Sequence, residues 1–586
     1  MLSLLLILII ILPLCFGITS NSSKNITISD KEVNVYYNSL DSKENVKLKF
    51  YDKEQEIPYI NISDAMRIRQ SLFDSSITYE TKGKSTYKIE NTSSKYTVTF
   101  NNRGTVIFNI TNQSISIDNL ALVQAYSYND TVYDILCKDT TDNEKINYVT
   151  HQKKSNGSLK AYSYLGHSMN IYLGGYNIPI YGDSSSLYIP LDLFNNFFVS
   201  YSYNLFSYNG DDIYVLPFIN APTEAYLNSY YSGSNSNKER SDKLAEFSYY
   251  SLLLNLDYQY GLSDLHGFTS FNKEFEDTKI SSLLKSKDNI EYTSGLFNMI
   301  YNTFGDAHCS FAKRSVYIKQ DVVTQVNKSF NNANIGITEL YDNLSKIESA
   351  RAKIGETNPD YLKCYYEDGD TAYVRFDHFD TFSKVPDYYS IETNGSETDT
   401  FGVINYANKM IKANSNIKNV VIDLSTNYGG EEIALVFALG WILGDDARIS
   451  VNNPITSTNS TIYYNADINL DGKYDVNDDT LEGYNKFVLT SKHSYSCGNA
   501  LPCICKESQK VKIIGQTSGG GTCQVFPIIT TDGTIINISG GARLSNETNS
   551  HYSDIDGGAT PDYVITSLEN IVDRSYTTKV VHSLVL

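Results

Sequence analysis

The chain has 586 residues, of which 41% are apolar, and it carries a formal net charge of −19. The apolar content excludes an intrinsically disordered chain, and the acidic balance argues against nucleic-acid binding, which needs a basic surface. The length is sufficient for a large hydrophobic core and for several domains.

Residues 1–17 are predicted to be a cleaved signal peptide. Leu2 to Phe16 form an apolar run that is too short to span a bilayer, and small residues lie at its end. No Lys or Arg precedes the run, so an N-terminal anchor is the alternative. We therefore expect a secreted protein without a membrane span after signal removal. N-x-S/T triplets support this route and predict a glycoprotein; among them are those that begin at Asn61, Asn91, Asn109, Asn129, Asn156, Asn327, Asn343, Asn394 and Asn546.

Residues 18–235 are expected to form a β-rich N-terminal region. Residues 94–117 alternate apolar and polar side chains on both sides of an Asn-Asn-Arg-Gly turn, which predicts a hairpin. Residues 46–68 and 169–198 are alike, since each contains a strand pattern, Ile-Pro, a second strand pattern and a short helical pattern. These two segments suggest two related modules.

After the β-rich region, we expect a helical segment and then a segment in which strands and helices alternate. Leu and Tyr pairs at helical spacing predict a helical subdomain over residues 236–312, followed by a connecting segment, residues 313–370. Residues 371–586 alternate strand and helix patterns, with helices expected at Phe401 to Ala413, Ile433 to Gly444 and Cys497 to Glu507. This alternation predicts an α/β sheet covered by helices.

Five short motifs follow one another in this second half. They are GDAHCSF, VIDLSTNYGG, SYSCGN, IIGQTSGGG and GGATPD. In this order and spacing they resemble the C-terminal processing peptidase and tricorn-core family of serine peptidases, over roughly residues 240 to 570. The resemblance implies a crotonase/ClpP-like α/β catalytic domain that hydrolyses peptide bonds in protein or peptide substrates, without a cofactor for catalysis.

The resemblance also implies site residues. Ser496 takes the position of the nucleophile, and the backbone N–H groups of Gly429, Gly430 and Cys497 are the expected oxyanion-hole donors. Processing peptidases use a Lys as base, but Gly521 stands at that position here. Serine needs a base, and the tricorn-type members use a His, whose position is taken by His308.

Several alternatives to this active site are open. Asp556 is the expected acidic partner of His308, with Asp554 and Asp306 as alternatives, and such a partner should raise the pKa of the imidazole. His493 is a rival base because it lies near Ser496 in the sequence. Loss of the Lys also allows an inactive relative that acts as a peptide-binding or surface adhesion protein. Residues 312–370 are too short for the PDZ domain of processing peptidases, so we expect none.

A separate loop predicts calcium binding. Within an inserted segment, residues 465–479, Asp467, Asn469 and Asp471 occupy positions 1, 3 and 5 of an EF-hand-like loop. Gly472 follows at position 6, Lys473 stands at position 7 and Asp478 at position 12. The alternative is a turn rich in Asp, Asn and Gly without metal. The sequence does not define disulfide pairs, and its C-x-C spacing fits zinc poorly.

Overall fold

The computed structural model describes residues 28–41, 43–74, 86–100, 104–124, 132–136, 148–218, 221–330, 335–380 and 386–585. The predicted signal peptide and the sequon at Asn129 lie outside the described residues. No helix in the described part of the chain combines the length and apolar character needed to cross a bilayer. The six cysteines described are all free thiols.

The N-terminal part is built mainly of short strands. A seven-stranded sheet has the order β11-β12-β3-β2-β1-β14-β13, and a five-stranded antiparallel sheet has the order β10-β7-β6-β5-β4. The elements are β1 Ser29–Tyr36, β2 Lys43–Phe50, β3 Tyr59–Asn61, α1 Ile62–Asp74, β4 Tyr87–Asn91, β5 Lys95–Phe100, β6 Gly104–Asn109, β7 Ser114–Ile117, α2 Leu120–Val123, β8 Val149–His151, β9 Ala161–Tyr164, β10 Met169–Tyr172, β11 Tyr181–Gly182, β12 Leu187–Pro190, α3 Leu191–Phe198, β13 Asn204–Tyr208 and β14 Ile213–Pro217.

The two similar segments lie side by side in the seven-stranded sheet. Strands β3 and β12 pair antiparallel, with Ile60 opposite Ile189, and each leads directly into a helix, α1 or α3. Both isoleucines are fully buried, so the two segments contribute to one hydrophobic core. The repeat in the sequence thus becomes an approximately twofold packing unit.

A helical segment follows the strands. Its helices begin at polar caps where the sequence supplies them: Ser241 accepts from Leu244 N, and Asp288 accepts from Ile290 N and Glu291 N. A π-helical turn, Met299–Phe304, ends the segment, a feature that often marks functional sites. The helices are α4 Glu224–Tyr230, α5 Asp242–Gln259, α6 Ser263–His266, α7 Phe271–Asp277, α8 Ser281–Leu284 and α9 Asn289–Asn298.

The C-terminal half contains a six-stranded sheet, β16-β17-β18-β21-β22-β26, which is parallel except for its edge strand β16. Helix α13 contacts β20 and the helices α12 and α14, and it is apolar on all sides because it is buried. The elements are β15 Ser310–Lys313, α10 Gln320–Ser329, α11 Ile335–Gly355, β16 Tyr365–Asp368, β17 Thr371–Arg375, α12 Thr400–Ala413, β18 Asn419–Asp423, α13 Glu432–Leu443, β19 Arg448–Asn453, β20 Thr458–Ala466, β21 Asn485–Thr490, α14 Cys497–Glu507, β22 Val511–Gly515, β23 Cys523–Ile529, β24 Ile535–Thr548, β25 His551–Asp554, β26 Tyr563–Val564, α15 Leu568–Val572 and α16 Arg574–Leu584.

An eight-stranded sheet joins the three parts of the chain. Strand β24 pairs with β15, β19, β23 and β25, while β20 pairs with β8 and β9 from the N-terminal part. The protein is therefore a mixed α/β structure with several sheets, and strands that are distant in sequence meet beside the motif-bearing loops.

Candidate active site

Ser496 lies at a sharp turn between a buried strand and a buried helix. The loop that leads to it after β21 is fixed by hydrogen bonds: Ser494 Oγ donates to Leu424 O at 2.7 Å, and Tyr495 N donates to Asn427 O at 3.0 Å. Ser496 N donates to Gly520 O at 2.8 Å, and its backbone has φ 56° and ψ −124°. A non-glycine residue rarely adopts this conformation, which resembles the strained turn that exposes a nucleophile.

Gly429 and Gly430 lie directly against this turn. Their φ values of +108° and +139° favour glycine. A Cβ at position 429 would lie 2.5 Å from Ser496 Cβ, so only glycine allows this approach. Gly429 N donates to Asn427 Oδ1 at 2.9 Å and is therefore not a free oxyanion-hole donor, and the Cys497 thiol donates to Gly430 O at 3.2 Å.

A buried charge network holds the strand that leads to these glycines. Asp423, at the end of β18, accepts from Arg351 Nη2 at 2.9 Å and from Arg574 Nη2 at 2.7 Å. Burial opposes ionisation, but the two guanidinium groups hold the pKa of Asp423 well below its usual value. The strand end is therefore anchored from α11 and α16.

His308 enters the same region from the helical segment. The π-helical turn ends at Gly305, and His308 N then donates to Asp306 Oδ1 at 2.9 Å. The Nδ1 atom of His308 is buried without a hydrogen-bond partner in the described residues. Burial lowers the pKa of His308, although the charges of Asp306 and Asp556 and a contact with the Cys523 backbone oppose this shift. The carboxylates thus raise the pKa of the imidazole as predicted, but loss of water outweighs them and the net shift is downward.

Tyr495 connects the Ser496 turn with the His308 loop. Its hydroxyl donates to Asp306 Oδ1 at 3.2 Å, and its ring packs edge-on against the His308 ring, with centroids 5.0 Å apart. A Cβ at position 521 would lie 2.3 Å from the Tyr495 ring. The ring thus fills the space that a lysine at position 521 would need, which is a physical reason for Gly521.

Sequence reasoning missed Tyr495. The available signal was its size: SYSCGN resembles the S-A-S-A-S-E pattern of the family, in which an alanine stands at the position of Tyr495, while Gly521 replaces the family's lysine. The residue at position 495 is larger than in the family and the residue at position 521 is smaller. This pair of changes indicates that the Tyr495 side chain fills the volume of the missing lysine side chain.

The three acidic candidates have different surroundings. Asp556 Oδ1 accepts from Gly521 N at 2.9 Å and Thr522 N at 3.1 Å, and its charge acts on His308. Asp306 contacts both His308 and Tyr495, whereas Asp554 lies 3.5 Å from Arg543 Nε. Asp556 and Asp306 are therefore the carboxylates that influence His308.

One cavity of about 670 Å³ brings the candidate residues together. Ser496, His308, Gly430, Cys497 and Gly521 all line it. Aromatic and aliphatic side chains form much of the remaining wall, which suits a peptide chain. Within the described part of the protein, no hydrogen bond joins Ser496 Oγ to His308.

His493, the rival base, lines the same cavity. It is fully buried, and its Nδ1 atom lies 3.2 Å from Leu340 O, a group that can only accept a hydrogen bond. Nδ1 therefore carries the proton, and Nε2, which has no partner in the described chain, is an acceptor. Burial lowers the pKa of His493. Both histidines are thus favoured in the neutral form.

The calcium-like loop lies apart from this cavity. Asp467 accepts from Asp471 N at 3.1 Å, from Gly472 N at 2.9 Å and from Tyr389 Oη at 2.7 Å. Asp478 accepts from Ile468 N at 2.8 Å. Over the residues described, the structure brings together no group of three or more His, Cys, Asp or Glu side chains that could hold a metal. Calcium binding stays a prediction from the sequence.

Comparison with known proteins agrees with the motifs. Residues 370–565, the segment that contains Ser496 but not His308, match the model of peptidase family S41. This match confirms the resemblance of this segment to the family of serine peptidases that the motifs indicate. Comparison with curated proteins finds no match.

The similar solved structures are distant. A proposed peptidase from Parabacteroides merdae is 14% identical, with 59% of this chain and 98% of that chain covered and a TM-score of 0.39. The photosystem II D1 C-terminal processing protease is 21% identical over 34% of this chain and 45% of its own, with a TM-score of 0.24. The tricorn protease is 14% identical over 41% of this chain and 19% of its own, also with a TM-score of 0.24.

Proposed function

We propose that the chain is a secreted serine endopeptidase that hydrolyses peptide bonds through an acyl-enzyme on Ser496, with His308 as general base. The conformation of Ser496 carries this proposal. A serine at φ 56° and ψ −124°, where glycine would be less strained, lies in the cavity that His308 also lines. Such strain costs about 1–3 kcal/mol and is typical of functional sites.

The proposed reaction begins when His308 takes the proton of Ser496 Oγ as this oxygen attacks the scissile carbonyl. The N–H groups of Cys497 and Gly430 then donate to the oxyanion, while Gly429 N is already bonded to Asn427. One such donor is typically worth about 10²–10³ in rate.

Two carboxylates support the protonated base in this scheme. Asp556 is proposed as the acidic member, with Asp306 next to it, since both charges favour the imidazolium of His308. Burial keeps the resting imidazole neutral, and the carboxylates stabilise the charge that develops during the attack. His308 then donates its proton to the leaving amine, and water releases the acyl group.

The proposed substrates are proteins or peptides, and no cofactor takes part in the scheme. The cavity wall supports internal cleavage because it contains no Lys or Arg, among the described residues, to bind a terminal carboxylate. The alternative of an inactive relative receives no support from the S41 match.

The test is hydrolysis of a quenched fluorescent peptide library together with labelling by a fluorophosphonate. Ser496→Ala should abolish both activities, because the acyl-accepting oxygen is gone, and should leave the melting temperature unchanged. Cys497→Ala is the matched control, since it removes the neighbouring thiol but keeps its N–H. Burial raises the pKa of Cys497 well above its usual value, so this thiol is a poor nucleophile.

Labelling that persists in Ser496→Ala and disappears in Cys497→Ala would contradict the proposal and assign the chemistry to the thiol. Wild-type protein that is folded but neither labelled nor active would support the silent peptide-binding alternative.

A further inference from the structure

The catalytic cavity carries acidic groups beside the expected oxyanion hole. Asp134, Glu431 and Glu432 line it, whereas no Lys or Arg does so within the described part of the chain. Glu431 and Glu432 are the first and second residues after Gly430, so their backbone lies within about 8 Å of it. These carboxylates therefore lie close to the place where the scissile carbonyl would bind.

Glu432 is the carboxylate that lacks a partner. Its side chain lines the cavity and, among the described residues, forms no hydrogen bond or ion pair. By contrast, Asp134 is bonded to His151 Nε2 at 2.9 Å and to Tyr464 Oη at 3.3 Å. A carboxylate that lines a cavity without a counterion favours a cationic ligand.

A second, separate observation also indicates a ligand that donates hydrogen bonds. The fully buried His493 lines the same cavity, and its Nε2 atom is an acceptor without a partner in the described residues. The wall thus offers unpaired acceptors and no cationic donor side chain. Main-chain N–H groups and cationic side chains of a peptide would satisfy these acceptors, whereas acidic side chains would not.

Glu431 and Glu432 also affect the ionisation of the neighbouring Cys497 thiol. After burial, the charges of Glu432 and Glu431 are the next causes of the raised pKa of the Cys497 thiol. Loss of bulk water, and then Glu431, raise the pKa of Glu432 itself to about 7. Negative charge at this place disfavours an oxyanion at Cys497 N, and a substrate cation beside Glu432 would cancel that effect.

From this geometry we infer that Glu432 is a specificity residue that selects substrates with a lysine or arginine side chain next to the scissile bond. The inference rests on the proposed peptidase function and adds the class of substrate to it. The cation binds against Glu432, and the apolar wall contacts the methylene groups of the same side chain.

The test compares peptides that differ only by arginine or citrulline, its uncharged isostere, at each of the two positions on either side of the cleaved bond. Wild type should cleave the arginine peptide with at least tenfold higher kcat/KM at one position. Glu432→Gln should reduce this ratio to nearly one, while the rate on the citrulline peptide changes by less than threefold. Glu482→Gln, a change of an exposed glutamate outside the cavity, should keep the full preference.

Fluorophosphonate labelling separates the two proposals. If wild type and Glu432→Gln are both labelled and wild type shows no preference for arginine, the specificity inference is wrong and the peptidase function stands. The inference is also wrong if Glu432→Gln keeps the preference. If wild type is neither labelled nor active, the proposed function fails and the specificity inference fails with it.

Discussion

The loop of residues 305–309 and the loop of residues 491–496 each bring a histidine to the same cavity, but they give it different surroundings. His308 has Asp306 and Asp556 near its ring, and its Nδ1 has no partner in the described chain. His493 uses Nδ1 to contact Leu340 O, and the nearby charges of Asp377 and His378 act on its pKa in opposite directions. The surroundings of His308 can stabilise an added proton, whereas those of His493 keep its imidazole neutral, with Nε2 as a hydrogen-bond acceptor.

This difference teaches that proximity in sequence is a weak guide to the base. His493 is three residues from the proposed nucleophile, and His308 is far from it in the chain. A general base must gain a proton in the transition state, so the carboxylates around the ring matter more than sequence distance. Tyr495 contacts the His308 loop directly and so links the two loops.

The largest expected effect separates the two histidines. His308→Ala should lower kcat by about 10⁴-fold, because Ser496 loses its base. His493→Ala should change kcat less than tenfold and raise KM, because we expect His493 to contact the substrate without taking part in proton transfer. The measurement is steady-state hydrolysis of one fluorogenic peptide, with melting curves to confirm folding. Near-normal turnover of His308→Ala, or a large loss of kcat in His493→Ala, would reverse the assignment.

A second prediction tests the contact that joins the loops. Gly521→Ala should lower the free energy of unfolding by about 3 kcal/mol, because φ is +79° and the new Cβ would meet the Tyr495 ring. Chemical denaturation measures this loss. Gly557→Ala is the matched control, since no atom lies within 4 Å of its Cβ position, and it should be close to neutral. Equal stability of the two variants would show that Tyr495 does not occupy the space above Gly521.

A third prediction uses the loop of residues 467–478, which contains neither histidine. If it binds calcium, a hundredfold excess over Kd stabilises the protein by about 2.7 kcal/mol, and chelation lowers the melting temperature. Asp467→Ala should remove this response, whereas labelling of Ser496 should remain. A melting curve that is the same with and without chelator would retire the calcium site.

The smallest expected effect is a shift in pH dependence. His308 is active as a base when it is neutral, and burial lowers its pKa, so the rising limb of kcat/KM should lie below the ordinary histidine pKa of about 6.5. Asp556→Asn removes a charge that raises the pKa of His308. The rising part of the pH profile of kcat/KM should therefore move to still lower pH. Asp554→Asn, which alters the carboxylate near Arg543, is the control and should leave the limb in place. A limb that stays fixed in Asp556→Asn would exclude this carboxylate as the partner.

Local features of the fold could be predicted from the sequence alone. The helix expected at Phe401 to Ala413 runs over Thr400–Ala413, and the helix expected at Cys497 to Glu507 has those same bounds. Buried strands such as β18 and β21 were visible as short apolar runs next to turn residues. These features depend on neighbouring residues in the chain, which a sequence shows directly.

The sequence by itself determined which motifs occur and in what order, and it singled out Ser496, His308 and the paired glycines. Only the tertiary structure decided that Tyr495 fills the space above Gly521, that Asp554 lies near Arg543, and that burial lowers the pKa of His308. It also decided that β8 and β9 join the sheet of β24 and that Glu432 lines the cavity without a partner among the described residues. Each of these results depends on contacts between residues far apart in the chain and on the water that those contacts exclude, and no local pattern encodes either quantity.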